Sequence, residues 1–412
     1  MKKAGYKLTP LGWIPSDWTV KELKDITSRS IVYGIVQAGP HVADGIPYIK
    51  SSDVGGEIDI NSLCRTSFTI ANKYKRSGIE PGDIVFSLRG NIGELSIVPE
   101  GLKHGNLTQG TARISVLQED IKYIKYALSG PTLKKVIIIK AKGSTFQEIS
   151  LEQLRQLPIP LPSLPEQRCI AAILSTWDAV IGKEQQLIAA LRARHRALMQ
   201  QLLSGKKRLK GFTGKWWEVT YGSLLKEVIR PISWNDHEIY KLISVRRRSG
   251  GIFSMEALFG HQIKVKDLRT ANTGDFLFSK MQILHGASAL VTDEFDGAKI
   301  SGSYIAVVAR DPKKLNIHYF NFYSRLPYFY HQTYVSSFGV HIEKMTFDFD
   351  AFLSLQMSLP SSEEQAAIVA VLRTSEHEIQ THRRRIAAVK QQKNGLMQVL
   401  LTGKVRVKTA ER

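Results

Sequence analysis

The segment from Leu161 to Lys206 occurs twice: it returns without a gap, 198 residues later, as Leu359 to Lys404. The copies share 20 of 46 positions, among them Leu161-Pro162-Ser163 with Leu359-Pro360-Ser361, Glu166-Gln167 with Glu364-Gln365, and Leu198-Met199-Gln200 with Leu396-Met397-Gln398. Identity on that scale commits the chain to two similar halves, each a globular segment followed by a helix, related by a pseudo-dyad.

Each copy carries helix punctuation. Ser163 and Ser361 precede Glu166 and Glu364 by three residues, the spacing of a capping box. Gly205 and Gly403 follow the last apolar residues, where a left-handed residue is wanted. The ~41 residues between make a rod of roughly 60 Å at ~1.5 Å per residue, far longer than an ordinary globular helix. Ile170, Ile173, Trp177, Val180, Leu187, Leu191, Leu198 and Leu202 recur at threes and fours, as do Ile368, Val371, Ile379, Ile386, Val389, Leu396 and Leu400. Such a seam asks for a second helix, and the other copy, running antiparallel, is the nearest candidate. Glu184 and His382 interrupt the seam at equivalent places and would fix its register as a polar pair. His195, among Arg192, Arg194 and Arg196, reads as part of a solvated basic face.

A length of 412 residues with 43% apolar content allows two to four domains with real cores. Lys and Arg outnumber Asp and Glu 57 to 37, and a formal charge of +20 favours a polyanionic partner, nucleic acid before membrane. No run of 18 apolar residues and no amino-terminal signal with an apolar core occurs, so a cytoplasmic protein is expected. Cys64 and Cys169 support neither a disulfide framework nor a metal site.

The globular segments echo each other more faintly. Gly12 to Val20 aligns with Gly211 to Val219, and Gly82-Asp83 before Ile84-Val85-Phe86-Ser87 matches Gly274-Asp275 before Phe276-Leu277-Phe278-Ser279. The pattern predicts strands over 31–36, 48–50, 84–88, 95–98 and 111–117, then helices over 121–128 and 133–140. The second half repeats this with strands over 240–245, 276–279, 289–292 and 303–308, then helices over 317–323 and 328–335. Strands before helices make each segment α+β rather than a regular alternation.

A globular segment, a Leu-Pro-x3-Glu-Gln helix ending Leu-Met-Gln-x-Leu-Leu-(Ser/Thr)-Gly-Lys, and both again, resembles the specificity subunit of type I restriction-modification enzymes. The opening Leu8-Thr9-Pro10-Leu11-Gly12-Trp13-Ile14-Pro15-Ser16-Asp17-Trp18 resembles that family's amino terminus. The resemblance implies an α+β fold with two target-recognition domains, each a mixed sheet with helices, joined by two long helices in an antiparallel coiled coil. It divides the chain into recognition domain 1 (1–158), a first spacer helix (159–206), recognition domain 2 (207–356), and a second spacer helix with a basic tail (357–412). It implies that the chain binds double-stranded DNA and docks two methyltransferase subunits through its helices, at Glu166, Gln167, Leu198, Met199, Glu364, Gln365, Leu396 and Met397. Restriction subunits join in the full complex. S-adenosylmethionine, ATP and Mg are expected on those partners and no cofactor on this chain, which performs no chemistry. The absence of a Pro-Pro dipeptide, a Gly-x-Gly-x-x-Gly turn and a Gly-x4-Gly-Lys-Ser/Thr loop agrees with that division.

Sequence reading of DNA needs side chains that reach base edges, whereas affinity comes from cations on phosphates. By residue type and loop position the first-domain candidates are Lys50, Ser51, Ser52, Arg89, Asn91, Lys103, His104 and Asn106. Those of the second are Arg246, Arg247, Arg248, Lys280, Gln282 and His285, and the linker adds Lys206, Lys207 and Arg208. Trp13, Trp18, Trp216 and Trp217 are expected to support the helix ends rather than stack on bases. A solitary sequence-specific DNA-binding regulator and a non-enzymatic scaffold share the charge and the pseudo-dyad, and capture of a methyltransferase separates them from the specificity subunit.

Overall fold

The computed structural model describes residues 4–141, 147–342 and 345–408. The chain forms two compact units, Met1–Gln185 with Arg384–Arg412, and Gln186–Arg383. The long helices, Leu164–Leu203 and Ser362–Leu400, each contribute one half to each unit. Sequence segments and compact units therefore divide the chain differently: the units cut both helices and pair their halves.

In the first unit Ile84–Ser87 runs between Leu95–Ile97 and Thr111–Ile114, antiparallel to both. Ile84, Val85 and Phe86 are all fully buried, Ile84 and Phe86 in one apolar cluster and Val85 in another, which is why this strand reads as an uninterrupted apolar run. Ile46–Ile49 pairs antiparallel with Arg65–Thr66 and parallel with Asn106–Leu107, making a mixed sheet. Asp120 caps the helix Ile121–Ser129, and Pro131 opens Pro131–Lys140 at a position where its missing N–H costs nothing. The main core joins these helices to Ile170, Ala171 and Leu174 at the start of the first long helix and to Met397, Leu400 and Leu401 at the end of the second. A start packed against an end is antiparallel pairing.

The second unit repeats the plan. Leu225–Glu227, Tyr304–Ala309, Phe276–Ser279 and Ser288–Leu290 form a four-stranded antiparallel sheet, in that order. Its core joins the helices Ile317–Tyr323 and Pro327–Val335 to Met199, Leu202 and Leu203 at the end of the first long helix and to Ile368, Val369 and Leu372 at the start of the second.

The Gly-Asp echo has a local cause. Gly82 and Gly274 take φ of 87° and 89°, a region open to glycine. The buried Asp83 and Asp275 each accept the N–H three residues back, both at 2.9 Å, and an arginine: Arg29 at 2.8 Å and Arg230 at 2.6 Å.

Several expectations are corrected. Residues 31–36 make only single bridges, at Tyr33 and Ile35, and 240–245 breaks into Ile239–Tyr240 and Ile243–Val245. The middle of the seam is shifted by one residue in the first helix: Leu174, Ile181, Ile188 and His195 are buried every seven residues, while Ile173, Val180 and Leu187 are 38%, 37% and 42% exposed; the expected Ile170, Leu191 and Leu202 are buried. Both stripes are apolar at the same period, so the spacing cannot choose between them. His195 is thus a buried seam residue, not a member of a solvated face. Glu184 keeps its expected place in the seam, buried, and pairs with Arg385 at 3.1 Å.

The tryptophan alignment also slips by one. Thr19 pairs with Leu161 and Trp217 with Leu359, so the sheet register makes Trp18 the counterpart of Trp216. Trp18 is buried under Arg406 and Trp216 lies under Arg208, whereas Trp13 and Trp217 are exposed.

Candidate nucleic-acid interface

The second unit holds a cleft of about 780 Å³ whose walls carry Arg192 and Arg196 from the first long helix, Arg383 from the second, and Arg325 and Arg248 from the recognition segment. Glu376 is the one carboxylate among the lining residues. It accepts Arg325 at 2.6 Å and faces His195 Nε2 at 3.8 Å. Burial lowers the pKa of His195, with Glu376 opposing the shift and Arg325 adding to it. An excess of arginines over carboxylates in a concave wall concentrates positive potential and suits phosphate oxygens.

Arg248 enters this cleft on strained backbone. Arg248 and Ser249, at φ 59° and 52°, are the two non-glycine residues with positive φ among the described residues, a conformation costing on the order of 1 kcal/mol or more each. Hydrogen bonds hold it: Arg248 N–H donates to His285 O at 2.6 Å, Ser249 N–H to Gly286 O at 2.9 Å, and the Ser249 and Tyr330 hydroxyls meet at 2.6 Å. Gly286 is itself left-handed, and a Cβ there would lie 2.1 Å from the Tyr330 hydroxyl. Arg246 is exposed with its guanidinium over Phe253 at 4.6 Å, and Arg247 is exposed. Lys280, Gln282 and His285 are half-buried.

In the first unit the candidates divide. Asn106 is buried: its Oδ1 accepts Ser77 Oγ at 2.6 Å and Leu107 N–H at 2.8 Å, and its Nδ2 donates to Tyr74 O at 3.2 Å. It cannot read a base. Asn91 is likewise committed, accepting Ser87 Oγ at 2.6 Å and donating to Val54 O at 3.0 Å. Ser51 donates to Gly110 O at 2.8 Å, Lys50 Nζ lies 3.2 Å from Cys64 Sγ, and Arg89 pairs with Glu148 at 2.9 Å. Ser52, Lys103 and His104 are exposed. Sequence reasoning missed the helix Phe68–Lys73, which exposes Phe68 and Asn72; its only signal was the cap Ser67, whose hydroxyl accepts Ile70 N–H.

The repeated Glu-Gln pair faces inward. Arg406 donates to Glu166 at 2.7 and 2.8 Å and to Asp17 at 2.9 Å; Arg208 donates to Glu364 at 2.6 Å, and Trp216 Nε1 adds a bond at 3.1 Å. The residues after each long helix thus clasp the start of the other. The carboxylates spend themselves on arginine, not on a capping box, although Ser361 Oγ still accepts Glu364 N–H. Gln167 accepts Asp120 N–H at 3.0 Å and donates to Pro162 O at 3.0 Å, and Gln365 accepts Asn316 N–H at 2.8 Å and donates to Pro360 O at 2.9 Å. Glu166, Gln167, Glu364, Gln365, Met199 and Met397 are buried, and Leu198 and Leu396 pack on the cores. These buried side chains are committed within the chain, where they form an internal clasp. Arg208 belongs to the clasp too, while Lys206 and Lys207 remain exposed.

Residues 15–193 match the family model for the type I restriction modification DNA specificity domain. The putative type I restriction enzyme MjaX specificity subunit of Methanocaldococcus jannaschii is 28% identical over 99% of this chain and 98% of its own. The EcoBI specificity subunit of Escherichia coli is 32% identical over 49% of this chain and 44% of its own. Among solved structures, the S subunit of a type I restriction-modification system from M. genitalium superposes with a TM-score of 0.53 at 14% identity, covering 96% of this chain and 97% of that one. A chain from a study of complex assembly and conformational transition in the type I system gives 0.59 at 16% identity, covering 95% and 99%. Among the described residues no helix is long and apolar enough to cross a membrane.

Proposed function

We propose that this chain is a specificity subunit of the type I restriction-modification family and that each of its two units reads one part of a bipartite duplex DNA site. The long helices set the unread gap and dock methyltransferase subunits. Those partners, with restriction subunits, carry S-adenosylmethionine, ATP and Mg and perform adenine methylation and cleavage. The observation that supports this best is one plan with two surfaces. Both units repeat the sheet, the Gly-Asp turn and the arginine clasp, yet one exposes the strained Arg248 loop beside four further arginines and the other does not. One scaffold with dissimilar faces suits recognition of two dissimilar half-sites. Phosphates in the arginine cleft supply affinity without sequence information.

The test is co-expression of the full chain with candidate methyltransferase subunits, followed by mapping of methylated adenines. Capture of a methyltransferase and methylation at a two-part motif with a fixed gap support the reading. Methylation at a continuous motif, or no captured subunit, contradicts it.

A further inference from the structure

The first unit carries a second concave surface that none of the sequence candidates explains as a whole. A cleft of about 640 Å³ is lined by Phe68, Asn72 and Lys75 on one side and by His104, Gly105 and Asn106 on the other. Phe68 is 65% exposed at the first position of its helix, and an aromatic that size left in water at the lip of a polar cleft asks for a partner with a flat apolar face. Asn72 lies one turn further along the same helix and is exposed, as are Lys73, Lys75, Arg76, Lys103 and His104 nearby.

The cleft is built rather than incidental. Asn106 Nδ2 donates to the carbonyls of Ala71 and Tyr74, fixing the C-terminal end of the short helix, and its Oδ1 ties Ser77 to the strand that follows His104. Arg113, 4% exposed, donates to Arg76 O at 2.9 Å and to Gly78 O at 2.6 Å, pinning the turn that carries Lys75 and Arg76. Buried polar side chains thus hold a surface helix and a loop at a set separation, the support that precise recognition requires.

We propose that this cleft is the base-reading site of the first unit, with the Asn72 amide making a bidentate contact to an adenine edge, Phe68 packing against a base or thymine methyl beside it, and Lys75 and Lys103 on the flanking phosphates. A carboxamide matches the donor and acceptor at adenine N6 and N7, whereas lysines carry no base information. Asn106 is a positioning residue, acting through the helix it holds. The inference rests on the DNA-reading function proposed above.

The experiment is motif selection from a pool of random-sequence duplex DNA by the full-length chain and its N72A, F68A and K75A variants. Wild type is expected to recover a two-part motif. Asn72→Ala should weaken preference at one position of one part by roughly ten- to a hundredfold, leaving the other part unchanged as an internal control for folding. Phe68→Ala should relax the adjoining position. Lys75→Ala should keep the motif, bind all duplexes less tightly and reduce the salt slope by about one. An N72A motif identical to wild type at every position overturns the assignment while leaving the function standing. Failure of wild type to recover any motif overturns both.

Discussion

Lys393 Nζ lies 2.6 Å from Asp178 Oδ1, and the repeat equivalents of these two residues, His195 and Glu376, face each other at 3.8 Å. The same position in the repeat is therefore a closed ion pair in one unit and a looser, titratable contact in the other. In the first unit Tyr126 donates to the second oxygen of Asp178 at 2.6 Å. In the second, Glu376 turns to Arg325 instead, and His195 Nδ1 is buried without a partner.

The second unit should lose stability in mild acid through this contact. Burial holds the folded-state pKa of His195 below its ordinary 6.5, with Glu376 pulling the other way and Arg325 reinforcing burial; burial and Arg373 lower His318 in the same direction. Between the folded and unfolded pKa values the unfolded chain binds more protons, so stability is complete above about pH 6.5 and falls as pH drops through the depressed values. Thermal unfolding of H195Q between pH 7 and pH 5 should show a shallower fall than wild type. An identical fall would remove His195 from the account.

The clasps should be worth more than surface ion pairs. Glu166 is 3% exposed, so Arg406→Ala strands a buried carboxylate, at a cost of about 3 kcal/mol or more, and also uncovers Trp18. Urea unfolding measures it, and adding Glu166→Gln to the same chain should return part of the loss. Arg208→Ala should act in the same direction through Glu364.

Alanine at the two helix-terminal glycines should separate backbone strain from collision. Gly205 and Gly403 have φ of 70° and 66°, so either substitution costs about 1 kcal/mol for the left-handed conformation. At Gly205 the new Cβ would meet Trp216 at an ordinary 3.4 Å, but at Gly403 it would lie 2.3 Å from Pro15 Cγ. G403A should therefore unfold at clearly lower urea than G205A, and equal midpoints would contradict the packing described.

These contrasts mark what the sequence could and could not disclose. The repeat, the long helices, the glycine stops and most strand positions were legible, because periodicity and punctuation are local. Phe276–Ser279 and Ile317–Tyr323 match their expected bounds. Side-chain commitments were not legible. Asn91 and Asn106 have the chemistry of base readers, but Ser87 and Ser77 consume their carbonyl oxygens. Glu166 looks like a capping carboxylate until Arg406, 240 residues away, reaches it. The seam was misjudged for a related reason: with apolar side chains at both 173/180/187 and 174/181/188, only tertiary contact decides which stripe is covered. Asn72 escaped notice because its helix is six residues long, too short for a periodic signal.

The proposed function has the long helices set the unread gap between two half-sites, and its most direct test lengthens those helices. Insertion of one heptad into each long helix, at equivalent repeat positions, preserves the seam and adds about 10 Å of helix. Methylated adenines mapped after co-expression with the cognate methyltransferase should then show the same two half-sites with a gap longer by about three base pairs. Unchanged spacing, with both half-sites still recognised, would contradict the account.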